Sequence, residues 1–221
     1  MELRKKSILI ALVIGDRTIN CQTKVIKGKT YKYANLEVGH SCKQLEYCKW
    51  KANLCKSITG RKCLIRYKHV PERKINNRIT KSIEACRFTC CHRYFRILRK
   101  WLYPNNKKRL TSKYLKYLDE QGIAIWYMDD GSLYVRPDKS AFNCELHTHI
   151  TKEDAEDLIL MFQNKWNIKF NLHHVGENQY NLRCCSHAGA KFIKLISPFV
   201  PQCMDYKLKI PERFLHECIV P

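Results

Sequence analysis

The stretch Ile123-Ala124-Ile125-Trp126-Tyr127-Met128-Asp129-Asp130-Gly131 constrains this chain more than any other. It is an apolar run of helix length that stops on two carboxylates and a glycine. Acidic side chains are unfavourable at a helix C-terminus, where the dipole is already negative. A pair of them there calls for a counter-charge, and a bound cation supplies one. The chain opens with a second version, Leu9-Ile10-Ala11-Leu12-Val13-Ile14-Gly15-Asp16, also an apolar helical run that ends on an acidic residue. Two such helices, one per half of a basic chain, point to paired carboxylates that hold metal against a polyanion.

The 221 residues suffice for one large domain or two small fused ones, and a hydrophobic content of 45% excludes global disorder. The net charge is +21, spread over both halves rather than gathered in a tail. That spread fits an extended positive face for phosphate backbones. A membrane surface fits less well, because no long basic amphipathic helix stands out. The 13 cysteines are odd in number and follow no framework spacing, so they read as reduced core residues in a reducing compartment. Cys86, Cys90, Cys91 and His92 are clustered, but no C-x2-C pair follows at finger-like spacing, which argues against structural zinc. Arg4-Lys5-Lys6 and Ser7 to Ile14 mimic a signal peptide, yet the apolar run is short and no small-x-small site follows. No stretch approaches the roughly 20 apolar residues of a membrane span. The expectation is an intracellular protein with no membrane partner.

Each acidic-ended helix leads into the same order of elements. After Asp16 come strand-like sequence with Tyr33 to Val38 clearest, a helix from Ser41 with Gln44 placed for a capping box, and strands near 63–70 and 82–90. Leu45, Cys48, Ala52 and Cys55 give the helix an apolar stripe. A helix near 91–102 and the basic loop Asn105 to Arg109 close the unit. After Asp130 come strands near 132–136 and 142–150, a helix capped by Thr151, strands near 168–175 and 179–185, a helix over 186–196 and the basic segment Asp205 to Lys209. A repeated unit of this kind implies pseudo-twofold symmetry within one chain. The expected division is a first half over 1–103, a basic linker over 104–121 and a second half over 122–221.

Leu9 to Arg17 and Ile123 to Gly131 resemble the two motif copies of LAGLIDADG homing endonucleases of the monomeric, two-motif type, as do Tyr206-Lys207-Leu208 and Pro211 late in the chain. The first copy departs from the pattern, with Arg17 and Ile10 where the family often has glycine and alanine. The resemblance implies an α+β fold of two αββαββα half-domains with saddle-shaped antiparallel sheets. It implies cleavage of both strands of a long, asymmetric double-stranded DNA site with 3′ overhangs by a monomer. Both motif helices then pack together at the centre, and Ala11, Gly15 and Ala124 are small enough to let them approach. Asp16 and Asp130 take the metal and catalytic role, with Gly15 and Asp129 as further metal contacts and Mg²⁺ or Mn²⁺ as cofactor. Lys207 and its first-half counterpart Lys108, or Lys107, take the role of assisting lysines. An RNA maturase or a non-cutting DNA-binding protein on the same fold are the alternatives.

The strands are the expected DNA-reading elements, because a β-ribbon fits the major groove and alternate side chains reach bases. The first half offers Arg61, Arg66, Lys68 and Arg87, with Lys107 from the basic loop. The second half offers Glu145, His147 and His149 on one strand, and Lys169, Asn171 and His173 on another. The same alternation also describes ordinary solvent-facing strands.

Overall fold

The computed structural model describes residues 2–15, 18–75, 78–106 and 109–216. The chain forms two compact units: Arg17–Lys100, and a second made of Met1–Asp16 with Trp101–Pro221. The opening helix therefore packs with the second half of the chain.

In the first unit, β1 (Thr18–Ile26) and β2 (Lys29–Ser41) form a hairpin. Its two-residue turn, Lys27-Gly28, has positive φ at both positions (49° and 74°), the geometry that matches strand twist and that glycine adopts without cost. A turn at Cys42–Gln44 leads into α2 (Leu45–Thr59). The expected capping box is absent: Ser41 makes no side-chain cap bond, and the helix starts at Leu45. Tyr47, Cys48, Ala52 and Cys55 form the buried stripe. Gly60, at φ 67°, ends the helix in the left-handed conformation and donates its N–H to the Lys56 carbonyl.

β3 (Arg66–Val70) and β6 (Ile83–Cys91) complete a sheet of order β1-β2-β6-β3. Between them, β4 (Arg73–Ile75) and β5 (Arg78–Thr80) form a small hairpin that the sequence pattern does not separate. β3 starts three residues later than expected, and Arg61 lies in the loop that leads into it. α3 (Arg93–Leu102) comes directly after His92.

In the second unit, α1 (Leu3–Ile14) is buried from Ser7 to Ile14. α4 (Ser112–Leu115) precedes α5 (Glu120–Asp130), which Asp119 caps by accepting from the Gly122 N–H at 2.9 Å. β7 (Gly131–Val135) and β8 (Phe142–Ile150) lead to α6 (Lys152–Trp166), capped as expected by Thr151. β9 (Asn171–Gly176), β10 (Gln179–Cys184), α7 (Ser186–Ile196) and α8 (Arg213–His216) complete the unit. The sheet order is β7-β8-β10-β9, the same path through four antiparallel strands as in the first unit. Phe142, Cys144 and Leu146 face a core of Tyr127, Phe162, Phe170 and Phe192.

The expected alternation of 168–175 begins too early. Ile168 and Phe170 are buried, as a strand would have them, but pairing starts at Asn171. Lys169 therefore lies ahead of β9, because alternation alone makes no strand without a hydrogen-bonded partner. Among the described residues, no helix is long and apolar enough to cross a membrane.

Candidate active site

α1 and α5 run parallel and touch at both ends. At the N-terminal end, Ser7 Oγ donates to Asp119 Oδ1 at 2.6 Å and accepts from the Asp119 N–H at 2.9 Å. Arg4 Nε donates to Gln121 Oε1 at 2.9 Å. A Cβ on Gly122 would overlap Ser7 Oγ, so this helix residue is glycine for close approach. It reads in sequence as a spacer ahead of the helix, and the missed signal is a glycine inside a run that is apolar on every face. At the C-terminal end, a Cβ on Gly15 would lie 2.7 Å from Asp129 Oδ2 and 2.8 Å from Asp129 Cβ. Ala11 and Ala124 are fully buried. The residue before Asp16 thus abuts the residue before Asp130; Asp16 itself lies outside the described residues, as do Lys107 and Lys108.

The end of α5 has a counter-charge built from the chain. Lys207, in the 3₁₀ segment Gln202–Leu208, donates from Nζ to the carbonyls of Met128 at 2.6 Å, Gly131 at 2.8 Å and Tyr127 at 3.4 Å. These include carbonyls that a helix C-terminus leaves without internal partners, and the ammonium offsets the negative end of the dipole. Tyr127 Oη donates to the Lys207 carbonyl at 3.3 Å. Asp129 and Asp130 are half-buried, and Asp130 lines a cleft with Ile14, Leu110, His147, Thr148, His149 and Ile150. The groups gathered here are carboxylate and carbonyl oxygens, the hard donors that suit Mg²⁺ or Mn²⁺.

The polar face of the second sheet is a bonded network. Ser132, Glu145, Arg183 and Asn171 form one row across all four strands. Glu145, only 8% exposed, accepts from Asn181 Nδ2 at 2.7 Å and Arg183 Nε at 2.8 Å, and pairs with His173 Nδ1 at 2.8 Å. Burial disfavours its charge, but the hydrogen bonds from Asn181, His173 and Arg183 outweigh it and hold the carboxyl at about 2. His147 links the network to β7 through Ser132 Oγ at 2.9 Å. Burial lowers its pKa against the pull of Glu145. His149 adopts a positive φ of 47° beside a register shift in β10, and its N–H donates to Asn181 Oδ1 at 3.2 Å.

Glu145 is therefore a buried hub instead of an outward reader, and His173 is tied to it. His147, His149, Lys169 and Asn171 keep part or all of their surface open to solvent. The sequence alone does not single out Asn181, Arg183 and Ser132. An asparagine inside a strand, where the residue is depleted, is the available signal.

In the first unit Arg66 and Arg87 stand opposite each other on β3 and β6, and like charges so placed repel. Arg87 is relieved by Glu37 at 3.0 Å. Arg66, Lys68 and Arg61 are exposed.

The model of the family described as LAGLIDADG DNA endonuclease matches residues 6–192. The chain is 32% identical over 134 residues to a cytochrome b mRNA maturase, bI2, of Debaryomyces hansenii, covering 60% of this chain and 48% of that one. It is 26% identical over 163 residues to an intron-encoded endonuclease, ai4, of Dictyostelium discoideum, covering 72% of this chain and 95% of that one. The chain spans about half the length of curated relatives such as the maturase. Among solved structures, the homing endonuclease I-WcaI bound to its DNA recognition sequence superposes with a TM-score of 0.73 at 23% identity, covering 96% of this chain and 89% of that one. That likeness establishes the fold.

Proposed function

Because this chain belongs to the LAGLIDADG DNA endonuclease family, we propose that it is a site-specific homing endonuclease that hydrolyses both strands of a long, asymmetric DNA target and leaves 3′ overhangs. The observation that carries the reading is the meeting of the α1 and α5 C-termini, Gly15 against Asp129, with Asp130 at the cleft. The halves 1–103 and 122–221, joined by 104–121, each serve one half-site.

Asp130 and Asp16 would hold the divalent cation, with Asp129 and the Gly15 carbonyl as further oxygen donors. When bound, Mg²⁺ or Mn²⁺ withdraws charge from the phosphate and favours ionised water as nucleophile. The Gly15–Asp129 packing sets the spacing of the two helix ends. Lys207 keeps a positive charge at the end of α5, where a scissile phosphate would approach, and Lys108 or Lys107 is its counterpart. The outward residues Arg61, Arg66, Lys68 and Arg87, with His147, His149, Lys169 and Asn171, contact the duplex. The charge of +21 supplies most of the affinity.

Asp130→Asn and Asp16→Asn test the assignment. Each should abolish cleavage while DNA affinity changes by less than about tenfold, or roughly 1.4 kcal/mol. Near wild-type cutting of both strands by either variant would overturn the role of that residue. An RNA maturase on the same fold is the second reading, favoured by the 32% identity to the maturase. Tight intron RNA binding without metal-dependent DNA cleavage would establish it instead.

A further inference from the structure

Three thiols come together in the first unit. Cys55 on α2, Cys63 in the loop after Gly60 and Cys90 on β6 place their sulfurs within 4.8 Å of one another. Cys55 and Cys90 are buried and Cys63 is half-buried. Among the described residues, this is the one group of such side chains within ligating reach.

Tetrahedral zinc with bonds of about 2.3 Å sets its sulfur ligands roughly 3.8 Å apart, a small adjustment from this arrangement. A disulfide needs sulfurs about 2.05 Å apart and would use only two of the three.

We infer that Cys55, Cys63 and Cys90 form a structural site for a soft divalent cation, zinc by preference, with the fourth position filled by solvent. Thiolates select zinc over magnesium. The ligands come from a helix, a loop and a strand, so the bound ion would tie all three together. The loop at 60–65 has no strand partner, and it makes local polar contacts: Arg61 N–H to Thr59 Oγ1 at 3.2 Å and Cys63 Sγ to the Arg61 carbonyl at 3.5 Å. It carries Arg61 and Lys62 and leads into β3, whose Arg66 and Lys68 are exposed. Zinc would therefore order a basic loop and strand. The site is independent of the acidic helix ends, so its failure leaves the nuclease reading intact.

The test uses the full chain, purified reduced, incubated with zinc in the presence of excess magnesium and passed through a desalting column. Metal content is read by mass spectrometry, and affinity by competition with a chromophoric chelator. About one equivalent is expected, and Co²⁺ should give the absorption of a tetrahedral thiolate site. Cys63→Ser, on a half-buried loop residue that the core does not need, should weaken binding by at least about tenfold. Cys21→Ser, at an exposed cysteine outside the cluster, should leave it unchanged. A wild-type chain that retains no zinc, unchanged zinc affinity in Cys63→Ser, or a disulfide among these cysteines in the reduced preparation would overturn the inference.

Discussion

Replacing Lys207 by methionine keeps the apolar stem and removes the ammonium from the end of α5. Two short hydrogen bonds are lost, 2.6 Å to the Met128 carbonyl and 2.8 Å to that of Gly131, with a weaker one at 3.4 Å to Tyr127. A hydrogen bond to a charged group contributes about 1.5–3 kcal/mol, so the two short ones set a ceiling of about 3–6 kcal/mol. Lys207 is half-buried, so water reaches part of the vacated space and lowers the loss to about 2–3 kcal/mol. The negative end of the helix dipole then loses a built-in cation, which adds in the same direction. Urea titration with tryptophan fluorescence reads this unit through Trp126 in α5 and Trp166 in α6, and the midpoint should fall with the slope unchanged. Lys209→Met, at an exposed lysine two residues away, should stay within about 0.5 kcal/mol of wild type. If Lys207→Met is no more destabilised than that control, the capping argument is wrong.

Gly15→Ala puts a methyl 2.7 Å from Asp129 Oδ2. Overpacking there should cost about 1–3 kcal/mol and lower the thermal midpoint by roughly 2–10 °C, and an unchanged midpoint would mean the helices do not approach so closely. Glu145 is held at about 2 against an ordinary 4.5, so its ionised form stabilises the fold above about pH 4.5 and that contribution disappears as pH falls toward 2. The stability gap between wild type and Glu145→Gln should therefore reach about 3 kcal/mol at neutral pH and narrow below pH ~4.5; a gap that is flat with pH would contradict the network. Finally, the charge of +21 should give DNA binding a steep salt dependence, and a log–log slope shallower than about −2 would count against an extended backbone interface.

The features legible in the chain are local ones. The two apolar runs with acidic ends, the Thr151 cap and the helix over 186–196 come from periodicity and capping within a few residues. The repeated order of elements was legible for the same reason, and it reappears as two sheets with the same strand order. Where a local pattern lacks its partner it misleads: 168–170 alternate like a strand but pair with nothing, and Ser41 offers a cap that the chain does not use.

The rest depends on which distant segments meet. Gly122 looks like a spacer until Ser7, from the other end of the chain, is seen against it. The resemblance puts Lys207 beside the site, but only the fold shows its ammonium on carbonyls 76 to 80 residues earlier. Glu145 alternates as a reader would, but only the register of β8 against β10 puts Asn181 and Arg183 over it. Cys55, Cys63 and Cys90 have no recognised spacing in sequence, and packing brings them together from three segments. Dihedral preferences and hydrophobic period act over a few residues and are written in the order of amino acids. Close approach, charge pairing and metal-ligating geometry act between surfaces, and those exist only once the chain has folded.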